Sequence, residues 1–145
     1  MKRIRIALAP ILIALLMAFA LSPVSAEDNL QKPVIQVSTD DERTQNMALN
    51  NAVNVQKALG MDNVIIEIVA YGPGLSLLTR QSTVSSRIES LAMMDITFSA
   101  CGNTMDTIEK KKGKKVELLE GVSVVQAGVV RIMELQAQGC AYVRP

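Results

Sequence analysis

One segment, Asn63–Ala70, constrains the fold of this chain more than any other. It is a nearly continuous apolar run that is rich in the β-branched residues Val and Ile. Such residues favour strands, and a strand that is apolar on both sides has to be covered on both faces, as in the centre of a parallel sheet. The run therefore predicts an α/β domain in which helices pack against a mainly parallel sheet.

The rest of the chain continues this alternation of strand and helix. Helices are predicted from about residue 40 to 59, from 84 to 93, from 105 into a lysine run at 110–115, and from 128 to 138, with a short helical turn near residue 75. Helices between strands are typical of right-handed crossovers that join parallel strands. The predicted strands are Val34–Ser38, Asn63–Ala70, Asp95–Cys101, Val122–Gln126 and Cys140–Arg144.

The first 26 residues have the pattern of a secretory signal peptide. Three basic residues precede an apolar run, and the small residues before Glu27 suit a cleavage site after Ala26. An uncleaved membrane anchor is the alternative, although the run contains Pro10 and is short for a membrane span. We expect an exported, periplasmic protein with a polar tail at 27–33, one domain at 34–145 and no stable membrane insertion after cleavage.

Composition excludes several classes of function. The chain has no His and no Trp, so a zinc or copper site is not expected, and neither is any other metal or cofactor. Without residues 1–26, 12 cations face 14 acids among 119 residues, and only 3% of the whole chain is aromatic. Neither feature indicates a nucleic-acid partner.

A cysteine at a strand end is the candidate reactive group. Cys101 ends the predicted strand, Gly102 permits a tight turn, and Asn103 or Thr104 is expected to cap a helix that starts near Met105. A thiol at a helix N-terminus is shifted towards the nucleophilic thiolate. The alternative is a small buried side chain with no chemistry, which is the common role of a lone cysteine.

Three turns are expected to meet at the carboxyl edge of the sheet, where ligands bind in such folds. They are Ser38–Asp40, Tyr71–Gly74 and Cys101–Thr104. With Cys101 as the reactive residue, the predicted substrate-binding residues are Thr39, Tyr71, Gly72, Gly74, Gly102, Asn103 and Thr104.

Two polar features have more than one interpretation. The helical residues Asn50, Asn51 and Asn54 indicate either a solvated face or a polar subunit contact. The run Lys110–Lys115 carries five lysines, and their repulsion predicts a solvated loop or a docking patch for an acidic partner or a lipid surface.

Four segments taken in order resemble the DsrE/DsrF-like family of small proteins linked to intracellular sulfur oxidation and sulfur relay. The likeness covers about Val34 to Pro145. The relay proteins work in the cytoplasm, whereas this chain begins with a signal-like segment. The four segments are Val69–Leu75, Phe98–Met105, Gly128–Arg131 and Gln136–Pro145.

The resemblance implies a three-layer α/β/α sandwich with a five-stranded parallel sheet in the order 4-3-2-1-5. It also implies a homo-oligomer, with a trimer or hexamer expected. In the relay members a cysteine at the end of the third strand accepts sulfur as a persulfide, and Cys101 occupies the matching position. Sulfur donors and acceptors, either proteins or small thiols, are the implied partners. Cys140 stands where the family has an aromatic residue, so we interpret it as a packing substitution.

Other functions remain open at this point. The main alternative is a noncatalytic exported module, either an oligomeric scaffold or a binder of a small anionic ligand in the same pocket. A general thiol–disulfide oxidoreductase is disfavoured because the chain has no Cys-x-x-Cys pair. The expected strand order places Cys101 and Cys140 at opposite edges of the sheet, with two strands between them. That separation predicts no disulfide within one chain.

Overall fold

The computed structural model describes residues 30–145, and the predicted signal peptide lies outside the described residues. Five strands form one sheet in which every neighbouring pair is parallel. The order β4-β3-β2-β1-β5 confirms the predicted topology. The strands are β1 (Pro33–Val37), β2 (Ile66–Ala70), β3 (Ile96–Cys101), β4 (Val122–Val125) and β5 (Ala141–Val143).

Helices connect the strands as the alternation predicted. Both ends of the first helix are capped. The Asp41 side chain accepts the Thr44 N–H at 2.8 Å, and Gly60 follows the last turn with a φ of 87°. A 3₁₀ turn, Met61–Asn63, and a longer 3₁₀ segment, Gly72–Leu78, lie on either side of β2. The helices are α1 (Glu42–Leu59), α2 (Ser85–Ala92), α3 (Gly102–Lys112) and α4 (Gly128–Ala137).

Two boundaries differ from the prediction. In the described part of the predicted tail at 27–33, the Gln31 N–H donates to the Asn63 carbonyl and the Ile65 N–H donates to the Gln31 carbonyl. The strand β1 begins at Pro33, one residue before the predicted start. The lysine run is not wholly a loop, since Lys110, Lys111 and Lys112 form the last turn of α3 before Gly113 ends it. Cations suit a helix C-terminus because its free carbonyls carry partial negative charge. All five lysines of the run are exposed, as their mutual repulsion predicted.

The sheet separates two apolar clusters of unequal size. The larger cluster packs β1, β2 and β3 against α1, α2 and the 3₁₀ segment, with Phe98 fully buried among them and Ile108 of α3 at its margin. The smaller cluster lies on the opposite face and is formed by Val34, Val69, Ile132 and Leu135. Within residues 30–145, α4 is the helix that supplies this second face, so the helix layer there is thin.

Strand alternation assigns three polar residues to the thin face. Val69 belongs to the smaller cluster, and therefore Glu67 faces the same side of β2. On β3 the neighbours Phe98 and Ala100 belong to the larger cluster, which places Ser99 and Cys101 on the side of α4.

The 3₁₀ segment lies against the end of β1. A Cβ on Gly74 would overlap the carbonyl oxygen of Val37, so only glycine fits there. Gln45 of α1 holds the same region by donating to the Ser76 hydroxyl at 2.9 Å and to the Thr39 carbonyl at 3.0 Å.

The helical asparagines are partly accounted for within the chain. Arg87 of α2 donates to the side-chain oxygen of Asn50 at 2.6 Å. Asn54 is exposed to solvent. Among the helices of residues 30–145, none is long and apolar enough to cross a membrane.

Candidate functional site

Cys101 is the last residue of β3 and the N-cap residue of α3. The helix begins at Gly102, earlier than the predicted start near Met105, so neither Asn103 nor Thr104 is the cap. Both residues instead lie in the first turn, where their backbone N–H groups have no partner within the helix. The thiol is therefore closer to the free N–H groups of the helix than the sequence prediction placed it.

The thiol is buried but surrounded by donors. Burial raises the pKa of Cys101, yet hydrogen bonding from the Thr104 hydroxyl and from the N–H groups of Gly128, Thr104 and Asn103 outweighs it, so the pKa lies below its ordinary value. Asn103 contributes least, and its N–H also donates to the Gln126 carbonyl at 3.1 Å. Only 5% of the surface of Cys101 is exposed to solvent. The donors therefore favour the thiolate, although the sulfur is largely shielded from solvent.

Thr104 links two of the predicted turns. Its hydroxyl oxygen accepts the backbone N–H of Gly72 at 2.9 Å, which leaves the hydroxyl hydrogen free to point at the thiol. Gly72 has a φ of 55°, in the left-handed region that glycine adopts without strain. Gly72 therefore acts on the cysteine through Thr104, as one step of a chain of hydrogen bonds.

Gly128 is a functional residue that sequence reasoning missed. It is the first residue of α4, and hydrogen bonding from its N–H is one cause of the lowered pKa of Cys101. A Cβ at this position would lie 3.0 Å from the ring of Tyr71, so glycine lets the helix end approach β2 closely. The signal was present, because β4 ends just before Gly128 and the ends of parallel strands share one edge.

A buried polar cluster stands behind the site and was also missed. Glu67 of β2 accepts two hydrogen bonds from Arg131 of α4, at 2.9 and 2.7 Å, and one from the Ser99 hydroxyl at 2.7 Å. Burial raises the pKa of Glu67, but the hydrogen bonds from Arg131 and Ser99 reverse the effect and the net direction is downward. The carboxylate is thus held in its charged form by its partners.

Two of the predicted binding residues, Thr39 and Gly74, lie away from the Cys101 thiol. Thr39 follows β1, two strands away from β3, and its hydroxyl accepts the N–H of Asp41 at 3.2 Å. Gly74 packs against Val37 and brings the 3₁₀ segment close to β1, not to the sulfur. Gly102 adjoins the thiol, but its bare Cα serves close contact with the Val125 carbonyl. Of the predicted site residues, Asn103 and Thr104 therefore lie beside Cys101, and Tyr71 and Gly72 occupy supporting positions.

Two adjoining clefts open beside the cysteine turn. The smaller has a volume of about 470 Å³ and is lined by Gly72, Pro73 and the first turns of α3, including Asn103 and Thr104. The larger, of about 630 Å³, shares Gly72, Pro73 and Ile108 with it and continues to the lysine run. The larger cleft is lined at its far end by Lys112, Lys114, Lys115 and Glu117.

The two cysteines are both free and lie far apart in the topology. Cys140 directly precedes β5, whose first residue pairs with Pro33 at the start of β1. Cys101 is at the other edge, paired with Val125 at the end of β4. Cys140 packs against the smaller apolar cluster, in agreement with its interpretation as a packing residue.

Fold and site together define a small α/β protein with a donor-surrounded cysteine at the carboxyl edge of a parallel sheet. No protein-family model matches the sequence, and no curated protein matches it. A solved structure does match, that of the protein of unknown function MTH1491 from Methanobacterium thermoautotrophicum. It is 35% identical, with a TM-score of 0.71, over 79% of this chain and 99% of that chain. The chain belongs to the same family as MTH1491.

Replacing Thr104 by valine tests the environment of the thiol. We expect the pH midpoint of Cys101 alkylation to rise by about 1 unit or more, because a hydrogen bond to a charged group is worth about 1.5 kcal/mol or more and one pKa unit is about 1.4 kcal/mol. The measurement is the rate of iodoacetamide alkylation against pH in a Cys140→Ser background.

Thr107→Val is the matched control, since Thr107 lies one turn further along α3 and its hydroxyl donates to the Asn103 carbonyl at 2.8 Å. Its midpoint should stay at the wild-type value. An unchanged midpoint in Thr104→Val would contradict the assigned role of the hydroxyl.

Proposed function

We propose that the protein carries sulfane sulfur as a persulfide on Cys101. The observation that carries the proposal is the set of donors around the sulfur, which lowers the pKa of the thiol despite its burial. A thiolate is the species that attacks sulfur, and the same donors suit the anionic outer sulfur of a persulfide. The resemblance to the DsrE/DsrF-like family points to the same chemistry.

The transfer needs no cofactor and is balanced in electrons. The Cys101 thiolate attacks the outer sulfur of a donor persulfide R–S–SH, the S–S bond of the donor breaks, and a new S–S bond forms at Cys101. The donor leaves as the thiolate R–S⁻. In the second step an acceptor thiolate attacks the outer sulfur of the Cys101 persulfide, and Cys101 leaves as the thiolate.

Loading with sulfur tests the proposal directly. Incubation with glutathione persulfide should add about 32 Da, the mass of one sulfur atom, to the protein through persulfidation of Cys101. Intact-protein mass spectrometry followed by peptide mapping measures it.

Cys140→Ser is the matched control and should load as the wild type does, because Cys140 lies at the opposite edge of the sheet. Cys101→Ser should gain no sulfur. Equal loading of Cys101→Ser and wild type would refute the assignment.

A second candidate function, binding of a small anion without chemistry, is favoured by the basic cleft. Lys112, Lys114 and Lys115 line its far end, and Glu117 is the acid among the charged residues there. The cleft continues past Gly72 and Pro73 to the first turn of α3. An anion held by these lysines would lie at the end of the cleft away from the cysteine turn, and Cys101 would take no direct part in binding it.

The lysine run offers a charge-matched test of this candidate. Lys114→Gln with Lys115→Gln should weaken binding of citrate or pyrophosphate by about fivefold to tenfold, on the scale of one kcal/mol or less per exposed charge. Lys110→Gln with Lys111→Gln removes the same charge from residues that do not line the cleft. Calorimetry on the Cys101→Ser protein measures both. An equal loss from the two pairs would show a diffuse charge effect and no cleft site.

We also propose that the protein is exported to the periplasm, on the pattern of residues 1–26. Expression from the full sequence in a bacterial host should yield a protein that begins at Glu27. Ala26→Phe, which replaces the small residue at the cleavage site, should block this processing. N-terminal sequencing that finds Met1 on the wild-type protein would refute cleavage.

Self-association is the remaining proposal, with a trimer or hexamer expected from the family resemblance. Val129, Val130 and Met133 of α4 are each about half exposed or more, which leaves apolar surface for a contact between copies. Light scattering at micromolar concentration should give a mass of three or six chains. A stable monomer would contradict the proposal.

A further inference from the structure

The ion pair of the buried Glu67 and the half-buried Arg131 joins the two elements that flank the thiol. Through Ser99 the carboxylate contacts β3, two residues before Cys101 and on the same face of the strand. Through Arg131 it contacts α4, three residues after Gly128 and thus about one turn from it. One side chain therefore fixes both the strand that ends in the sulfur and the helix whose first N–H faces it.

The other contacts of α4 with the sheet are less directional. Its apolar anchors are Ile132 and Leu135 against Val34 and Val69, and short connections join the helix to β4 and β5. The contact between Gly128 and Tyr71 limits how closely the helix end approaches β2, but it does not prevent the end from moving away. A bidentate pair between guanidinium and carboxylate restricts both distance and direction.

We infer that Glu67 and Arg131 are positioning residues for Cys101: their two-point contact fixes the start of α4 against the end of β3 and thereby sets the reactivity of the thiol. The inference concerns any reaction of the thiolate, so it does not depend on sulfur being the cargo. Neither residue is placed in contact with a substrate. Their effect is exerted through the position of α4.

Charge-conserving replacement separates positioning from electrostatics. Arg131→Lys keeps the positive charge but cannot form the two parallel hydrogen bonds, so a purely electrostatic role predicts no change in the pH–rate curve of alkylation. A positioning role predicts a shift of the midpoint to higher pH, because the Gly128 N–H is no longer held at the sulfur. We expect alkylation at neutral pH to fall by about threefold to tenfold, where tenfold corresponds to about one pH unit.

Glu67→Gln gives a second test with opposite predictions. Loss of the negative charge leaves Arg131 uncompensated, and electrostatics alone would then move the midpoint to lower pH. Positioning predicts higher pH, since the amide cannot accept both hydrogen bonds from the guanidinium. Glu134→Gln is the matched control, because Glu134 is the exposed partner of Arg131 at 3.7 Å and lies on the same helix. It should leave the midpoint unchanged.

The other ionisable groups on the surrounding elements are kept constant. They are Tyr71 after β2, the α3 residues Asp106, Glu109 and Lys110–Lys112, and Glu134 on α4 outside its own control variant. All variants carry Cys140→Ser, and circular dichroism with thermal unfolding establishes that each is folded at the temperature of the assay.

Loading with glutathione persulfide distinguishes a failure of this inference from a failure of the sulfur-carrier proposal. If Arg131→Lys and Glu67→Gln alkylate with the wild-type midpoint, or if Glu67→Gln moves to lower pH, the positioning role is overturned even where Cys101 still accepts sulfur. If both midpoints move to higher pH while the wild type accepts no sulfur, the positioning role is supported and the sulfur-carrier proposal is refuted. If one variant does not fold, the direction of the shift in the other decides.

Discussion

Parallel pairing of all five strands is the constraint on which the site depends. Parallel neighbours cannot be joined by tight turns, so each connection crosses the sheet and its helix or turn begins at the carboxyl edge. The free N–H groups of those helix ends therefore face one edge. The Cys101 thiol at the end of β3 is stabilised by hydrogen-bond donors of the helix that follows it and by the N–H of Gly128, which begins the helix after β4. The thiol environment is thus a consequence of topology, and no sequence-local motif is sufficient to build it.

The thiol itself reflects a balance between two opposed terms. Desolvation disfavours the thiolate, whereas oriented donors favour it, and the donors prevail. The same enclosure limits access, because Cys101 is 5% exposed and does not line either of the adjoining clefts. A reactant that approaches from the smaller cleft meets Asn103 and Thr104 first.

The sequence predicted the fold well because the relevant signals are local. The apolar run 63–70, the Asp41 cap and Gly60 each act within one element, and the strand order followed from the family resemblance. Cys101 could be predicted for the same reason, as a residue between a strand and a helix. Gly128, Glu67 and Arg131 could not, because their roles arise from contacts 27 to 64 positions apart in the chain. The contact of Gly74 was not predicted, because a glycine permits close approach without revealing what approaches, and here it is the Val37 carbonyl.

The ion pair between the buried Glu67 and the half-buried Arg131 is poorly explained by stability, since apolar residues of similar size often stabilise a core equally well. The lowered pKa of Glu67 means that its contribution to folding is present above the ordinary carboxyl value of 4.5 and is lost as pH falls through the lower folded value. At neutral pH, where alkylation of Cys101 is compared between variants, the pair is therefore fully charged. An ion pair that holds the start of a helix near an ionising thiol needs a constant charge of its own, because its geometry then does not change as the sulfur gains or loses its proton.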